Sequence, residues 1–352
     1  MSLIQFAVVG LGRIGLRHTA ILSGHPACQV VAGCDIDEQA REEAASAHQI
    51  PVYESIEQML QHEPVIEVVC ICTPNGIHAQ QALAGLNHQK HVVIEKPLGL
   101  TKSACEEVLH RSLQVNRQVF CVMQNRYSPP SAWLKQVVED DLLGNLHMVQ
   151  INCYWNRDER YYKPGSWKGS LALDGGPLFT QFSHFVDTLY WIFGDIEQVQ
   201  ARFENFTHGH NTEFEDSGSF SFKLKKGGAL GLFSYTTACW DRNLESSLTV
   251  IGAKGSLKIG GQYMNEVVYC HIKDYELPEL PPTNPPNHYG PYIGSAANHH
   301  YVIENVVNTL NGNSSISTNA LEGLKVVEII ERVYQQRQLD EQLLAPTQSQ
   351  AT

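Results

Sequence analysis

Two stretches of this chain have residue types and spacing that point to chemistry: Gly10-Leu11-Gly12-Arg13-Ile14-Gly15, and about eighty residues later Glu95-Lys96-Pro97. The glycines stand between an apolar run and the start of an amphipathic helix, the setting in which such a turn holds a dinucleotide. There Gly12 lets the backbone approach a pyrophosphate, whose charge rests on the helix N-terminus opened by Arg13 and Ile14. Without a ligand the same residues are only a tight turn. Lys96 follows a later strand, at the edge where nucleotide folds gather ligands. Beside Glu95 it is either a surface ion pair or, as that edge favours, a ligand to a substrate hydroxyl and an aid to proton transfer. Together the stretches predict a bound nicotinamide dinucleotide and hydride transfer.

Other residues extend the site. Asp35 ends the second apolar run, where a carboxylate accepts both ribose hydroxyls of NAD and repels a 2′-phosphate, so NAD is expected rather than NADP. Without a ligand Asp35 simply begins the turn into the next helix. Thr73-Pro74-Asn75 and His78 follow the third clear strand and either line the nicotinamide side or make a generic turn. Thr180, His184, Asp187 and Trp191 fall on one stripe at helical spacing. A lone histidine on a helix is usually structural, but histidine is the natural base for an alcohol near neutral pH, and Asp187, one turn on, is placed to orient it. Tyr154, Arg157, Arg160, Trp167 and Lys168 mix cations with aromatics over a short span. Such a span grips a phosphate and stacks on a base or sugar, or makes a surface contact.

These residues need a scaffold. Residues 4–123 alternate apolar strands with helical stretches, and Thr101 is a good N-cap for one of these helices. That alternation predicts a doubly wound parallel sheet covered on both faces. After about Asn125 the pattern changes to a helix, a strand at 148–155, a helical stretch at 178–193, and strands in series from 197 to 271. Strands joined by short turns predict an antiparallel sheet. The Pro-rich 278–294 is expected as an irregular loop, followed by helices at 296–311 and 319–336. The expected organisation is residues 1–125 as an α/β Rossmann domain, 126–340 as an α+β domain with a large open sheet for substrate and assembly, and 341–352 as a frayed tail. Alternation in Ser247–Ile251 and Leu257–Ile259 leaves apolar residues to cover that sheet in a homodimer or homotetramer.

The 352 residues favour two domains over one. A formal charge of −12 argues against nucleic-acid and anionic-membrane surfaces. No stretch reaches the roughly 18 apolar residues that span a bilayer, and the first residues show no basic or apolar leader pattern, so no signal peptide is expected. The nine scattered cysteines contain no C-x-x-C, so free thiols in the cytoplasm are expected and no metal site is.

The landmarks GLGRIG, TPNGIH, EKP, Asn125-Arg126 and the Gly175–Asp187 segment resemble the glucose–fructose oxidoreductase/inositol dehydrogenase/MocA family over nearly the whole chain. The resemblance implies an NAD(P)-binding domain, an open-sheet second domain, and oxidation of hydroxyls on sugars and cyclitols. It places the family's catalytic lysine on Lys96 and its histidine on His184, with a cis peptide before Pro97 in many members. Many members have Asp four residues before the histidine, where this chain has Thr180 followed by Gln181. Relatives acting on nucleotide sugars often have Asn-Gln there, so the chain is also similar to 3-dehydrogenases of UDP-N-acetylglucosamine derivatives. The resulting expectation is an NAD-dependent oxidoreductase acting on a ring hydroxyl of a sugar or nucleotide sugar. Asn125, Arg126, Tyr154 and Arg157 are its candidate sugar ligands. An NAD-dependent glycoside hydrolase and a non-catalytic sugar-binding regulator are the alternatives.

Overall fold

The computed structural model describes residues 3–344. The first part alternates β1 (Ile4–Val9), α1 (Arg13–Gly24), β2 (Cys28–Cys34), α2 (Glu38–His48), β3 (Val52–Tyr53), α3 (Ile56–His62), β4 (Val68–Ile71), α4 (His78–Asn87), β5 (His91–Ile94), α5 (Lys102–Val115) and β6 (Val119–Cys121). The six strands form one parallel sheet in the order β3-β2-β1-β4-β5-β6. The order reverses between β1 and β4, which opens a crevice at their carboxyl ends. Phe6, Ala7, Val8 and all of β4 have no exposed surface, as helices on both faces require. Thr101 caps α5, its side chain accepting from the Ala104 amide at 3.3 Å. The β3–α3 segment escapes the sequence pattern because two strand residues carry no readable alternation.

The second part contains α6 (Pro129–Glu139), β7 (Leu146–Tyr154), α7 (Pro177–Thr180), α8 (Ser183–Phe193), β8 (Ile196–Glu204), β9 (Ser217–Leu224), β10 (Leu230–Thr236), β11 (Glu245–Gly252), β12 (Gly255–Gly260) and β13 (Glu266–Ile272). Its seven strands run β13-β12-β11-β7-β10-β9-β8. Neighbours are antiparallel except β7 and β10, which are parallel. Here the series of strands does not simply fold back on itself: β7 enters between β10 and β11.

One face of this sheet packs on helices, with Trp155 against the rings of Phe182 and Phe185. On the other, Met148 faces Leu230 on one neighbouring strand and Ile251 on the other. These three and Leu232 are exposed large hydrophobics. Leu257 and Ile259, which the alternation also offered for the open face, are fully buried; Ser256 and Lys258 hold the opposite positions on β12.

The expected helix at 178–193 is two helices, α7 and α8, broken at Gln181–Phe182. The Pro-rich segment is not wholly irregular: β14 (Pro286–His288) and β15 (Ile293–Ala296) make a small hairpin. Then α9 (His299–Leu310) returns to the first sheet, where Val302, Ile303 and Val306 join Ile4, Phe6 and Val8 in one core. The last helix, α10 (Ala320–Leu344), takes in residues 341–344 of the expected tail, and 345–352 lie outside the described residues. All nine cysteines are free. No helix among the described residues is long and apolar enough to cross a membrane.

Candidate active site

A cavity of about 1260 Å³ is lined by the glycine turn, the ends of β2, β4 and β5, helix α8 and the β14–β15 hairpin. Pockets for one small ligand are typically about 300–1,000 Å³, so a dinucleotide and a second ligand fit together. At one end Gly10 has φ +86°, and Gly15 packs beneath it; a Cβ on Gly15 would stand 1.8 Å from the Gly10 carbonyl oxygen. Helix α1 has no side-chain cap, and nothing lies within 4 Å of a Cβ placed on Gly12. Uncapped N–H groups over an open cradle fit a pyrophosphate. Asp35 accepts from the Leu11 amide at 2.6 Å through one oxygen and from the Asp37 amide at 2.9 Å through the other. It therefore shapes both the glycine turn and the entry to α2 while lining the cavity. Asp37, Glu54 and Glu57 line the same end, leaving it hostile to a 2′-phosphate. These residues fit NAD.

Deeper in, the strand ends are tied together. The His78 ring nitrogens lie 2.8 Å from the Thr73 carbonyl oxygen and 2.7 Å from that of Pro97, linking the turns after β4 and β5. Burial lowers the His78 pKa, so the neutral ring donates to one carbonyl at a time. The Lys96–Pro97 peptide is cis. Lys96 is half-buried, and its Nζ donates to the Thr180 carbonyl. Burial pushes the ammonium down to about 8; Glu95 and Asp174 oppose that pull and Arg157 adds to it. Glu95 is buried beside it. Burial raises its carboxyl, but contacts with His18 Nε2 at 2.8 Å and His299 Nε2 at 3.5 Å outweigh that and hold it well below 4.5.

His184 is 3% exposed. Its Nε2 lies 3.3 Å from the Gln124 amide nitrogen, and its Nδ1 has no partner. Burial, then Lys96, holds it well below 6.5. Both polar atoms of buried Gln181 and Oε1 of Gln124 also lack partners. Orphaned polar atoms around a histidine on a cavity wall mark a place for a hydroxylated ligand.

The third region is cationic and aromatic. Arg157, 3% exposed, lies over the rings of Trp155, Tyr161 and Tyr292. Among the described residues its guanidinium donates only to neutral oxygens, those of Asn156, Asn243 and Ile293. Lys168 sits 3.8 Å from the Tyr161 ring centroid and bonds the Tyr292 hydroxyl at 3.2 Å. Arg13 donates to the Tyr289 carbonyl. Among the described residues, none of Arg13, Lys96, Arg157 and Lys168 is ion-paired. Trp167 lines this region too.

The structure does not bring every expected residue to the cavity. Tyr154 points to the opposite face of the second sheet from Trp155, bonded to Ser234 at 2.8 Å, because adjacent strand residues face opposite ways. Arg126 is buried in a bidentate pair with Asp187, at 2.8 and 2.6 Å, and pairs with Glu322 at 2.7 Å. Asp187 therefore braces α8 and does not orient the His184 ring. Trp191 lies over Arg126 and Lys135. Asn125 stands behind the wall and accepts from Ser295. Pro97 contributes its carbonyl to His78. The sequence reading missed Gln124, Tyr289, Tyr292, Ser295 and His299 as lining residues. The tyrosines around Gly290-Pro291 were the only signal, an aromatic pair in a loop of functional length.

The family model "Oxidoreductase family, NAD-binding Rossmann fold" matches residues 4–122, and "GFO/IDH/MocA C-terminal domain" matches 132–258. The WlbA dehydrogenase of Chromobacterium violaceum, solved with NADH and UDP-GlcNAcA, is 30% identical, covers 97% of this chain and 95% of its own, and superposes with a TM-score of 0.86. The WlbA dehydrogenase of Bordetella pertussis, solved with the same pair, is 27% identical over 96% and 97%, with a TM-score of 0.85. Matches to several curated relatives are shorter and span little more than half of their length. Inositol 2-dehydrogenase of Salmonella typhimurium is 26% identical over 205 residues, 57% of this chain and 58% of that protein.

Asp187→Ala strips a buried guanidinium of its bidentate partner and is expected to cost about 3–5 kcal/mol of stability. Urea unfolding measures this, and a loss under about 1 kcal/mol contradicts the bracing role. At the dinucleotide end, NAD is expected to bind at least about tenfold tighter than NADP, with Asp35→Ser narrowing the gap. Equal affinities by calorimetry in the unmodified protein rule this out.

Proposed function

The chain belongs to the GFO/IDH/MocA oxidoreductase family, and on that premise we propose that it is an NAD-dependent dehydrogenase oxidising a ring hydroxyl of an anionic nucleotide sugar. The observation that carries this reading is that Lys96, at the end of β5, and His184, on α8, line the same cavity as the glycine turn. Bound NAD supplies the hydride acceptor at its nicotinamide ring. The side chains do the rest. Neutral His184 takes the proton of the substrate hydroxyl. Lys96 spends one N–H on Thr180 and has two left, one of which donates to the same hydroxyl oxygen and stabilises its charge as the proton leaves. Arg157 and Lys168, cations without carboxylate partners, favour an anionic group on the substrate, and Tyr161, Tyr292 and Trp167 offer rings for stacking. UDP-GlcNAcA, bound by the WlbA relatives, is a ligand of this class.

NADH formation across UDP-sugars, free sugars and inositols tests the substrate class; turnover is expected with the nucleotide sugars, and neutral polyols oxidised equally well would contradict it. For the true substrate, kcat/KM should rise with pH through a value below histidine's usual ~6.5, since burial and Lys96 both keep His184 neutral. It should fall again near 8, as Lys96 loses its proton. Lys96→Ala should lose roughly 10²–10⁴ in turnover while still binding NAD, and His184→Ala should lose the acid limb. Variants within a few-fold of the parent would refute these roles.

The open sheet supports a reading of assembly. Met148, Leu230, Leu232 and Ile251 are exposed side by side on one face of the sheet, and we read them as the contact between copies in a cytoplasmic homodimer or homotetramer. Leu232→Glu puts a charge among them. Light scattering should find the parent oligomeric and the variant monomeric; a monomeric parent rejects the assignment.

A further inference from the structure

The segment before α8 carries more buried polar machinery than a turn requires. Asp174 has no exposed surface. One carboxylate oxygen accepts from the Gly169 amide at 3.0 Å, and the other takes the Thr180 hydroxyl. Thr180 Oγ1 in turn accepts from Asn75 Nδ2 at 2.6 Å, and the same Asn75 nitrogen donates to the Asp174 carbonyl at 2.8 Å. The Thr180 carbonyl receives Lys96 Nζ. The close fit extends to the backbone: the Gly76 amide donates to the Leu173 carbonyl at 2.9 Å, and a Cβ on Gly76 would stand 2.0 Å from the Ala172 carbonyl oxygen. Asp174 is therefore a carboxylate buried among neutral donors, one residue removed from the ammonium that the proposed chemistry uses. If the turn needed only bracing, an asparagine would serve without the cost of burying charge.

We propose that Asp174 is a positioning residue for the reaction: through Thr180 it fixes Lys96, and its charge keeps the Lys96 ammonium protonated. The role assigned to Lys96 rests on the proposed dehydrogenase activity; the electrostatic coupling does not. Lys96 is faced by Glu95 from its own strand end, Asp174 from the loop, Arg157 from the segment after β7, and the rings of His184 and His78. Asp174 is faced by Lys96, Lys168, Tyr161 and Tyr162. Burial raises the Asp174 carboxyl to about 6, so at neutral pH it is mostly ionised and favours charged Lys96.

The test is the Asp174→Asn variant, whose amide can accept from Gly169 and donate to Thr180, preserving the turn and removing the charge. Competitive acetylation of the full-length protein across pH, read by peptide mass spectrometry, gives the Lys96 ionisation without any turnover. The parent should titrate near 8 and the variant about one unit or more lower. On the active enzyme the basic limb of kcat/KM should move to lower pH by the same interval. An unchanged Lys96 titration overturns the proposal, even if turnover falls, because bracing alone would lower rate without moving the ionisation. Should the dehydrogenase reading fail, the acetylation shift still decides the coupling. If Asp174→Asn does not fold, the parent labelled with 13C-lysine replaces it. Its Lys96 Cε resonance should show a second inflection near 6, where Asp174 takes its proton, and its absence overturns the proposal.

Discussion

Buried charge without a direct counter-charge is the constraint on which the rest of this site depends. Lys96 and Arg157 bring two cations to the cavity, and Glu95 and Asp174 bring two carboxylates beside it; among the described residues no ion pair joins these cations to these carboxylates. Each is satisfied by other groups: Thr180 for Lys96, three neutral oxygens for Arg157, the rings of His18 and His299 for Glu95, and Thr180 with Gly169 for Asp174. A direct Lys96–carboxylate pair would occupy the ammonium and leave it little to offer a ligand. Separation by neutral groups keeps the attraction, which low dielectric strengthens, while leaving donors free. The cost is a large supporting cast. His18 comes from α1, His299 from α9, Thr180 from α7 and Gly169 from a loop, so the cluster draws on distant parts of the chain.

The same logic sorts the two ends of the cavity. Carboxylates of Asp35, Asp37, Glu54 and Glu57 collect where ribose hydroxyls need acceptors. Arg13, Arg157 and Lys168 collect where an anionic ligand needs donors. A chain of formal charge −12 has no surplus of cations, and leaving several unpaired around one cavity is a local arrangement against the general field. Elsewhere, Arg126, Arg332 and Arg337 sit on carboxylates.

Much of this was readable in the sequence where local pattern fixes geometry. The glycine turn, Asp35, the Thr73–Asn75 turn and Lys96 each end a strand, and period and turn residues place strand ends well. His184 was readable because a helical stretch followed Gly175-Gly176. What failed had a common cause: side-chain direction and long-range partners are not written locally. Tyr154 lost its place by one position of strand alternation. Asp187 has the spacing to face His184, but Arg126 claims both its oxygens. Tyr289, Tyr292 and Ser295 arrive through a hairpin and His299 at the start of α9, far along the chain from the other walls; the prolines of 278–294 argued only for a loop there. Asp174 lies just ahead of the Gly175–Asp187 segment, and only the fold brings its carboxylate to Thr180 and so to Lys96.

The central claim is that one cavity holds dinucleotide and sugar so that Lys96 and His184 act on the same oxygen. A crystal structure of the ternary complex with NADH and a nucleotide sugar measures it most directly. The account predicts nicotinamide C4 about 3–3.5 Å from a hydroxyl-bearing ring carbon, with that hydroxyl in hydrogen-bond contact with both Lys96 Nζ and the His184 ring. A sugar bound with no hydroxyl near either side chain, or a nicotinamide ring at the Asp35 end of the cavity, would contradict it.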